Sequence, residues 1–349
     1  MDRNDFFSRL ELLTDIFLKD KLDMEELAKA CSDYKQLLIE CSEYDITKSS
    51  NKDCIHTKYG NAIGPHWAIQ CIDDIIRTKM FVKGTYKVVN DLLKKQGNVE
   101  LMYAGTGPFA ALVLPLMSKF SPSDLKIRCL EINPLSCSQL RDFLRITNLE
   151  EFVLSIEECD ATKHVVPNPD KIDVLLCETM QPALLREFQA PICINLLSQL
   201  KEDVIMIPED IHLSAGLMNA DRFEHGNMIG RGGKPYTKSV SSVFHFDKFA
   251  IKAVSEQWKE NPEKVDFPAS EFIIRREDFE EYPFLEVFTK IKVCDDVVIE
   301  SNQCDITMPV CIEDMRELES FDECQLSFHL SPFSKLRVKF NQDLVEEYA

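Results

Sequence analysis

Between residues 98 and 215 the chain alternates short apolar runs with segments of helical spacing, and no other feature restricts its fold so tightly. The runs cover residues 99–103, 127–132, 152–156, 172–177 and 204–207, and between them lie 109–119, 137–146 and 184–200. Short runs that are apolar at successive positions fit strands covered on both faces. The longer segments fit the crossover helices that parallel strands require. The expected fold class is therefore α/β, with a parallel sheet of the doubly wound kind.

The flanks read differently. Residues 1–95 are expected to be a helical cap. Phe6, Phe7, Leu10, Leu13 and Phe17 recur at helical spacing, and Ile69, Ile72, Ile75, Ile76 and Met80 share a second face. A polar break falls at 47–53. Residues 216–349 read as mainly β, with runs at 288–293, 297–300, 306–310, 325–330 and 335–340. The glycine-rich stretch 230–235 is a loop, but it lacks the first glycine and the final Ser/Thr of a phosphate-binding loop. The expected division is 1–95, 96–215 and 216–349.

Charge and cysteine usage narrow the function. The formal net charge is −19, with 40 Lys+Arg against 59 Asp+Glu. No Lys/Arg run exceeds two residues, so bulk nucleic-acid binding is not expected. A cationic acceptor would be attracted. No apolar stretch approaches the roughly 18 residues of a membrane span, and no apolar signal core follows the charged start Met1-Asp2-Arg3-Asn4-Asp5. The 13 cysteines are odd in number and form no C-x-x-C pair. Free thiols in a reducing cytoplasm are expected, and no metal site.

Three features converge on one crevice. Val99-Glu-Leu-Met-Tyr-Ala leads into Gly105-Thr106-Gly107, a strand-end turn where glycines let a ligand approach the main chain. A helix is expected after it, offering free N–H groups at its start. Glu131 ends the next strand, where an acid can take both hydroxyls of a ribose. Asp160 follows the third strand, placed to accept from an adenine amino group. A nicotinamide or flavin dehydrogenase is the competing reading, but the glycine spacing is not G-x-G-x-x-G.

Further residues carry a family resemblance. Asp173-Val-Leu-Leu-Cys-Glu178-Thr-Met180-Gln-Pro-Ala-Leu184-Leu-Arg-Glu187 is similar to the Ser-Glu-x-Met-Gly-x-x-Leu-x-x-Glu hairpin of the protein arginine methyltransferases, and Asp74-Ile-Ile-Arg77-Thr78 resembles their Asp-x-x-Arg-Thr. Tyr59-Gly60 and His66 resemble the preceding Tyr-Gly and His. The likeness spans about residues 55–215. It implies a class I S-adenosylmethionine-dependent fold with a seven-stranded Rossmann-like sheet. It implies S-adenosyl-L-methionine held by Arg77, Gly105, Thr106, Gly107, Glu131 and Asp160, with Arg77 on the cofactor carboxylate. Glu178 and Glu187 would be the catalytic pair facing the methyl acceptor, a peptide, protein or small amine. A homodimer is implied as well. The chain departs from the pattern at Leu101 and Tyr103, which stand in the places of an acid and the first glycine, and at Gln181-Pro182, in place of a glycine. The family's Thr-His-Trp triplet is absent. The nearest stretch is Ser327-Phe-His329.

Paired carboxylates suit transfer to a guanidinium. They bind its nitrogens in a fork, balance its charge and aim one nitrogen at the methyl group. The plainer readings are that Glu178 caps a strand end, that Glu187 is a solvated helix residue and that His66 is structural. Two other functions stay open: a small-molecule or peptide N- or O-methyltransferase of a biosynthetic pathway, and a non-catalytic interaction protein on the same fold.

Overall fold

The computed structural model describes residues 3–42, 48–186, 188–222, 235–262, 264–317, 323–330, 332–340 and 344–348. Two helices open the chain, α1 (Arg3–Leu18) and α2 (Met24–Glu40). Asp23 caps α2 by accepting from the Glu25 and Glu26 N–H groups. A small hairpin follows, β1 (Ile55–Thr57) and β2 (Gly60–Ala62), then the short helix α3 (Pro65–Gln70) and the long helix α4 (Ile75–Gln96). Asp74 caps α4 through the Arg77 N–H, and Gly97 closes it at φ 83°.

The central sheet contains β3 (Val99–Ala104), β4 (Leu125–Glu131), β5 (Val153–Glu158), β6 (Val174–Cys177) and β7 (Ile205–Ile207). All pairings are parallel and the spatial order is β5-β4-β3-β6-β7. The winding reverses beside β3, because β4 lies on one side of it and β6 on the other. A crevice opens at the carboxyl ends of strands around such a reversal. Helix α5 (Pro134–Thr147) joins β4 to β5. Asn133 caps it through the Leu135 and Ser136 N–H groups, and Asn148 ends it at φ 54°. Helix α6 (Gln189–Leu197) precedes β7.

Two expectations about residues 96–215 need correction. Among the described residues the parallel sheet has five strands, and the seven expected are not found. After Ile207 the chain enters β8 (Asp210–Met218), which pairs antiparallel with β9 (Thr237–Asp247) and β12 (Phe284–Cys294) and so leaves the parallel layer. The helix expected at 109–119 is instead a series of turns ending in one short 3-10 stretch, Leu114–Ser118. Ala110 adopts φ 47°, outside the helical range, and Pro115 cannot donate. The segment is apolar all round because the first two helices pack on it: Tyr34 Oη donates to the Ala111 carbonyl at 2.8 Å and Thr14 Oγ1 to that of Pro115 at 3.2 Å.

The remainder is mainly β. Helix α7 (Lys248–Glu260) follows β9, capped by Asp247 and burying Ile251, Val254 and Trp258. It is followed by β10 (Val265–Asp266), β11 (Ser270–Ile273), a short helix α8 (Arg276–Glu281) and β12. Then come β13 (Val297–Ile299), β14 (Val310–Asp314), β15 (Glu323–Leu330), β16 (Ser334–Phe340) and β17 (Leu344–Tyr348). One antiparallel sheet joins β13-β12-β8-β9 with β14 on β12, and another joins β10-β15-β16-β17 with β11 on β15. The run at 306–310 is not a strand: Asp305–Thr307 is a 3-10 turn, and the strand starts at Val310. Of the glycine-rich stretch 230–235, only Pro235 lies within the described residues. Among the described residues, no helix is long and apolar enough to cross a membrane. The thirteen cysteines are all free thiols.

Candidate active site

A cavity of about 290 Å³ opens at the carboxyl ends of β3, β4 and β6, at the small end of ligand-pocket sizes. Its walls include Arg77, Gly105, Thr106, Gly107, Glu131, Asp160 and Glu178. Seven of the eight site residues expected from the sequence thus share one cavity. The eighth, Glu187, lies outside the described residues.

The glycine turn is built for close approach. Gly105 has φ 80° and Gly107 φ 60°, both left-handed. A β-carbon on Gly105 would stand 2.3 Å from Thr179 Cγ2, so only glycine fits. Glu131 holds this turn. One carboxylate oxygen accepts the Gly107 N–H at 2.8 Å and the other the Asn133 N–H at 2.8 Å. Burial drives its pKa up, and the backbone N–H groups of Asn133, Gly107 and Ile132 counter part of that. Each oxygen keeps a second lone pair for a ligand hydroxyl. The Thr106 hydroxyl is buried and has no hydrogen-bond partner among the described residues, an orphan that a bound ligand would satisfy. Asp160 accepts from Thr162 N–H at 3.0 Å and Oγ1 at 2.6 Å, and pairs with Lys163 at 3.0 Å. Burial opposes its ionisation, but those partners outweigh burial and hold its pKa below the usual value.

Arg77 and Glu178 meet across the cavity in a buried ion pair. Arg77 also donates from Nη1 to the Cys71 carbonyl at 3.0 Å. Glu178 is fixed by a residue the sequence reading missed. Gln189, buried at the start of α6, donates from Nε2 to the Cys177 carbonyl and accepts from the Thr179 N–H, each at 2.9 Å. One amide therefore brackets the glutamate on both sides. Between Glu178 and α6, Ala183, Leu184 and Arg186 adopt φ of 56°, 59° and 63°. Such backbone stores strain and gathers at functional turns. Tyr103, in the place of a glycine, is buried in the wall, where desolvation pushes its hydroxyl pKa up.

Asp305 was also missed. It belongs to the turn between β13 and β14 and enters the cavity wall from the antiparallel half. Among the described residues of the wall, the acids Asp73, Asp74, Glu131, Asp160, Glu178 and Asp305 face one cation, Arg77. Neither weaker candidate lines the cavity. His66 packs edge-on against Trp67 at 5.0 Å, and its Nδ1 is buried without a partner among the described residues. His329 lies on β15, bonded to Ser327 Oγ at 2.5 Å and Asp266 Oδ1 at 2.7 Å.

No protein-family profile matches the chain, and no curated protein does. Solved structures do. One is Trypanosoma brucei PRMT1 in its enzyme–prozyme heterotetrameric complex with AdoHcy, at 12% identity and a TM-score of 0.49, covering 80% of this chain and 95% of that one. Another is Arabidopsis thaliana protein arginine methyltransferase 10 in an open conformation, at 13% identity and a TM-score of 0.47, covering 78% of this chain and 93% of that one. Over most of its length the chain is thus similar to two solved arginine methyltransferases.

Proposed function

We propose that the protein is an S-adenosylmethionine-dependent methyltransferase acting on the nitrogen of a cationic acceptor, of which a protein or peptide guanidinium is the leading case. The carrying observation is the single cavity in which Gly105, Thr106, Gly107, Glu131, Asp160 and Arg77 stand beside Glu178. The residues suit the cofactor on their own chemistry. The buried Thr106 hydroxyl lacks a partner among the described residues, Glu131 keeps acceptor capacity for ribose hydroxyls, and Arg77 is a guanidinium matched to a carboxylate.

Bound there, S-adenosylmethionine would supply a methyl group on a cationic sulfur. The chain's own residues would do the rest. Arg77 would take the cofactor carboxylate, Glu131 the ribose and Asp160 the adenine amino group. Glu178 would hold the acceptor by charge-assisted hydrogen bonds and lower the cost of bringing two cations together. Glu187, nine positions on, is carried into this proposal from the sequence spacing as the second carboxylate. A small amine in place of a peptide is the alternative acceptor. A homodimer belongs to the same reading, as does the division into a helical cap, a cofactor half and a β half.

The test is radiolabelled methyl transfer from S-adenosylmethionine into a lysate of the source cell, read by size. Label in protein bands that yield methylarginine on hydrolysis supports the guanidinium reading. Label only in small molecules supports the amine. No label in either fraction, from folded protein, counts against the enzyme.

A further inference from the structure

The acceptor side of the cavity has a feature that the glutamate hairpin does not explain. Asp305 is exposed at the mouth, and its carboxylate has no hydrogen bond or ion pair among the described residues. The other wall acids are engaged. Glu178 pairs with Arg77, Asp73 with Lys35, and Asp160 with Lys163. Glu131 is held by backbone N–H groups.

Asp305 is also held rigidly. Its own N–H donates to Asp74 Oδ2 at 3.0 Å, while Asp74 Oδ1 caps α4 through the Arg77 N–H at 3.2 Å. Asp74 thus ties this turn to the helix that carries Arg77. The turn closes on itself as well: Asn302 N–H reaches the Thr307 carbonyl at 2.8 Å, and Thr307 Oγ1 accepts from the Cys304 N–H at 3.1 Å. The turn packs beside Pro182–Leu184, the segment that follows Glu178. Ile306, buried, extends the apolar wall below it. Burial pushes the Asp74 carboxyl pKa up, the Arg77 N–H and charge counter part of that, and the nearby Asp305 charge adds a smaller upward push. A cation arriving between these groups relieves that repulsion.

We propose that Asp305 is a specificity-determining residue, a fixed carboxylate at the cavity mouth that selects a cationic methyl acceptor. The inference rests on the methyltransferase reading of the same cavity. Asp305 acts on acceptor capture and leaves cofactor affinity alone, because Arg77, Glu131 and Asp160 lie deeper and have their own partners. An exposed charge at the edge of a site contributes modestly and is screened by salt.

The test is equilibrium binding of a fluorescein-labelled arginine-rich peptide to full-length protein saturated with S-adenosylhomocysteine, at low ionic strength. Asp305→Asn keeps the backbone N–H on Asp74 and is expected to weaken peptide binding about fivefold. Asp305→Lys should weaken it by at least about tenfold. Both effects should shrink at high salt and vanish with a control peptide carrying citrulline for arginine. S-adenosylhomocysteine affinity, measured by calorimetry, should stay within about twofold of wild type, against the larger losses expected when a buried charged partner is removed. Equal peptide affinity in wild type and both variants, with cofactor binding intact, would overturn this assignment alone. Wild-type protein that binds no S-adenosylhomocysteine would overturn the methyltransferase reading, and this inference with it.

Discussion

Arg77 and Glu178, 101 positions apart in the chain, form a buried ion pair on the wall of one cavity. The residue proposed to take the cofactor carboxylate and the residue proposed to hold the acceptor are therefore each other's partner. Breaking a buried pair by removing one member leaves the other charge unmatched, which is more damaging than losing a surface pair. The two halves of the site are coupled through this contact.

Glu178→Gln keeps the shape and removes the charge. Turnover is expected to fall by at least about tenfold, equivalent to about 1.4 kcal/mol of transition-state stabilisation. Affinity for S-adenosylhomocysteine should be unchanged or tighter, because Arg77 is then freer to meet a carboxylate. Steady-state kinetics and calorimetry on the same preparation check both halves. Normal turnover would mean that Glu178 only closes the strand end.

Arg77→Lys should weaken S-adenosylhomocysteine by about tenfold, since lysine lacks the planar fork that matches a carboxylate. A decarboxylated analogue should bind wild type more weakly than the parent compound does, yet lose little further on the mutant. Equal losses in the two proteins would assign Arg77 to the ion pair alone.

Glu131→Gln should weaken the cofactor by about 1–3 kcal/mol, the range for a lost charged hydrogen bond. It should also lower the melting temperature, because Glu131 holds the Gly107 and Asn133 N–H groups. A variant that melts as wild type does and binds cofactor equally would remove Glu131 from the site.

Away from the cavity, Glu286 on β12 is 3% exposed and its Oε2 has no hydrogen-bond partner among the described residues. Burial raises its pKa from 4.5 to about 7. Between those values the folded chain keeps a proton that the unfolded chain releases, so stability falls as pH rises through this window, and the penalty is complete above it. Its size is on the order of 3 kcal/mol. Glu286→Gln should therefore be more stable than wild type by about that amount near pH 8, and nearly equal to it near pH 4. Urea unfolding at the two pH values decides this, and a gap that does not grow with pH would contradict it.

The parallel layer was legible because its strands are apolar at successive positions: β3, β4 and β6 are buried on both faces, and their observed limits fall within two residues of the expected ones. The segment at 109–119 misled for a related reason. Its apolar residues are buried on several sides, by α1, α2 and, at Phe109, by Phe143 of α5, so no periodic face separates helix from packed turns. Helix α7 did carry a signal, Asp247 before Ile251, Val254 and Trp258, which the reading of 216–349 as mainly β did not use. Within the site, Arg77, Glu131 and Glu178 were visible because each closes a local pattern of residues. Asp305 was not. Its place depends on a contact with Asp74 across 231 positions, which no local pattern encodes.

Whether the cavity between Arg77 and Glu131 binds S-adenosylmethionine is decided by titration calorimetry of the full chain with S-adenosylhomocysteine. Saturable binding at one site per chain is expected, weakened by Arg77→Lys and by Glu131→Gln. Folded wild-type protein that gives no heat with S-adenosylhomocysteine or S-adenosylmethionine at high protein concentration would contradict it.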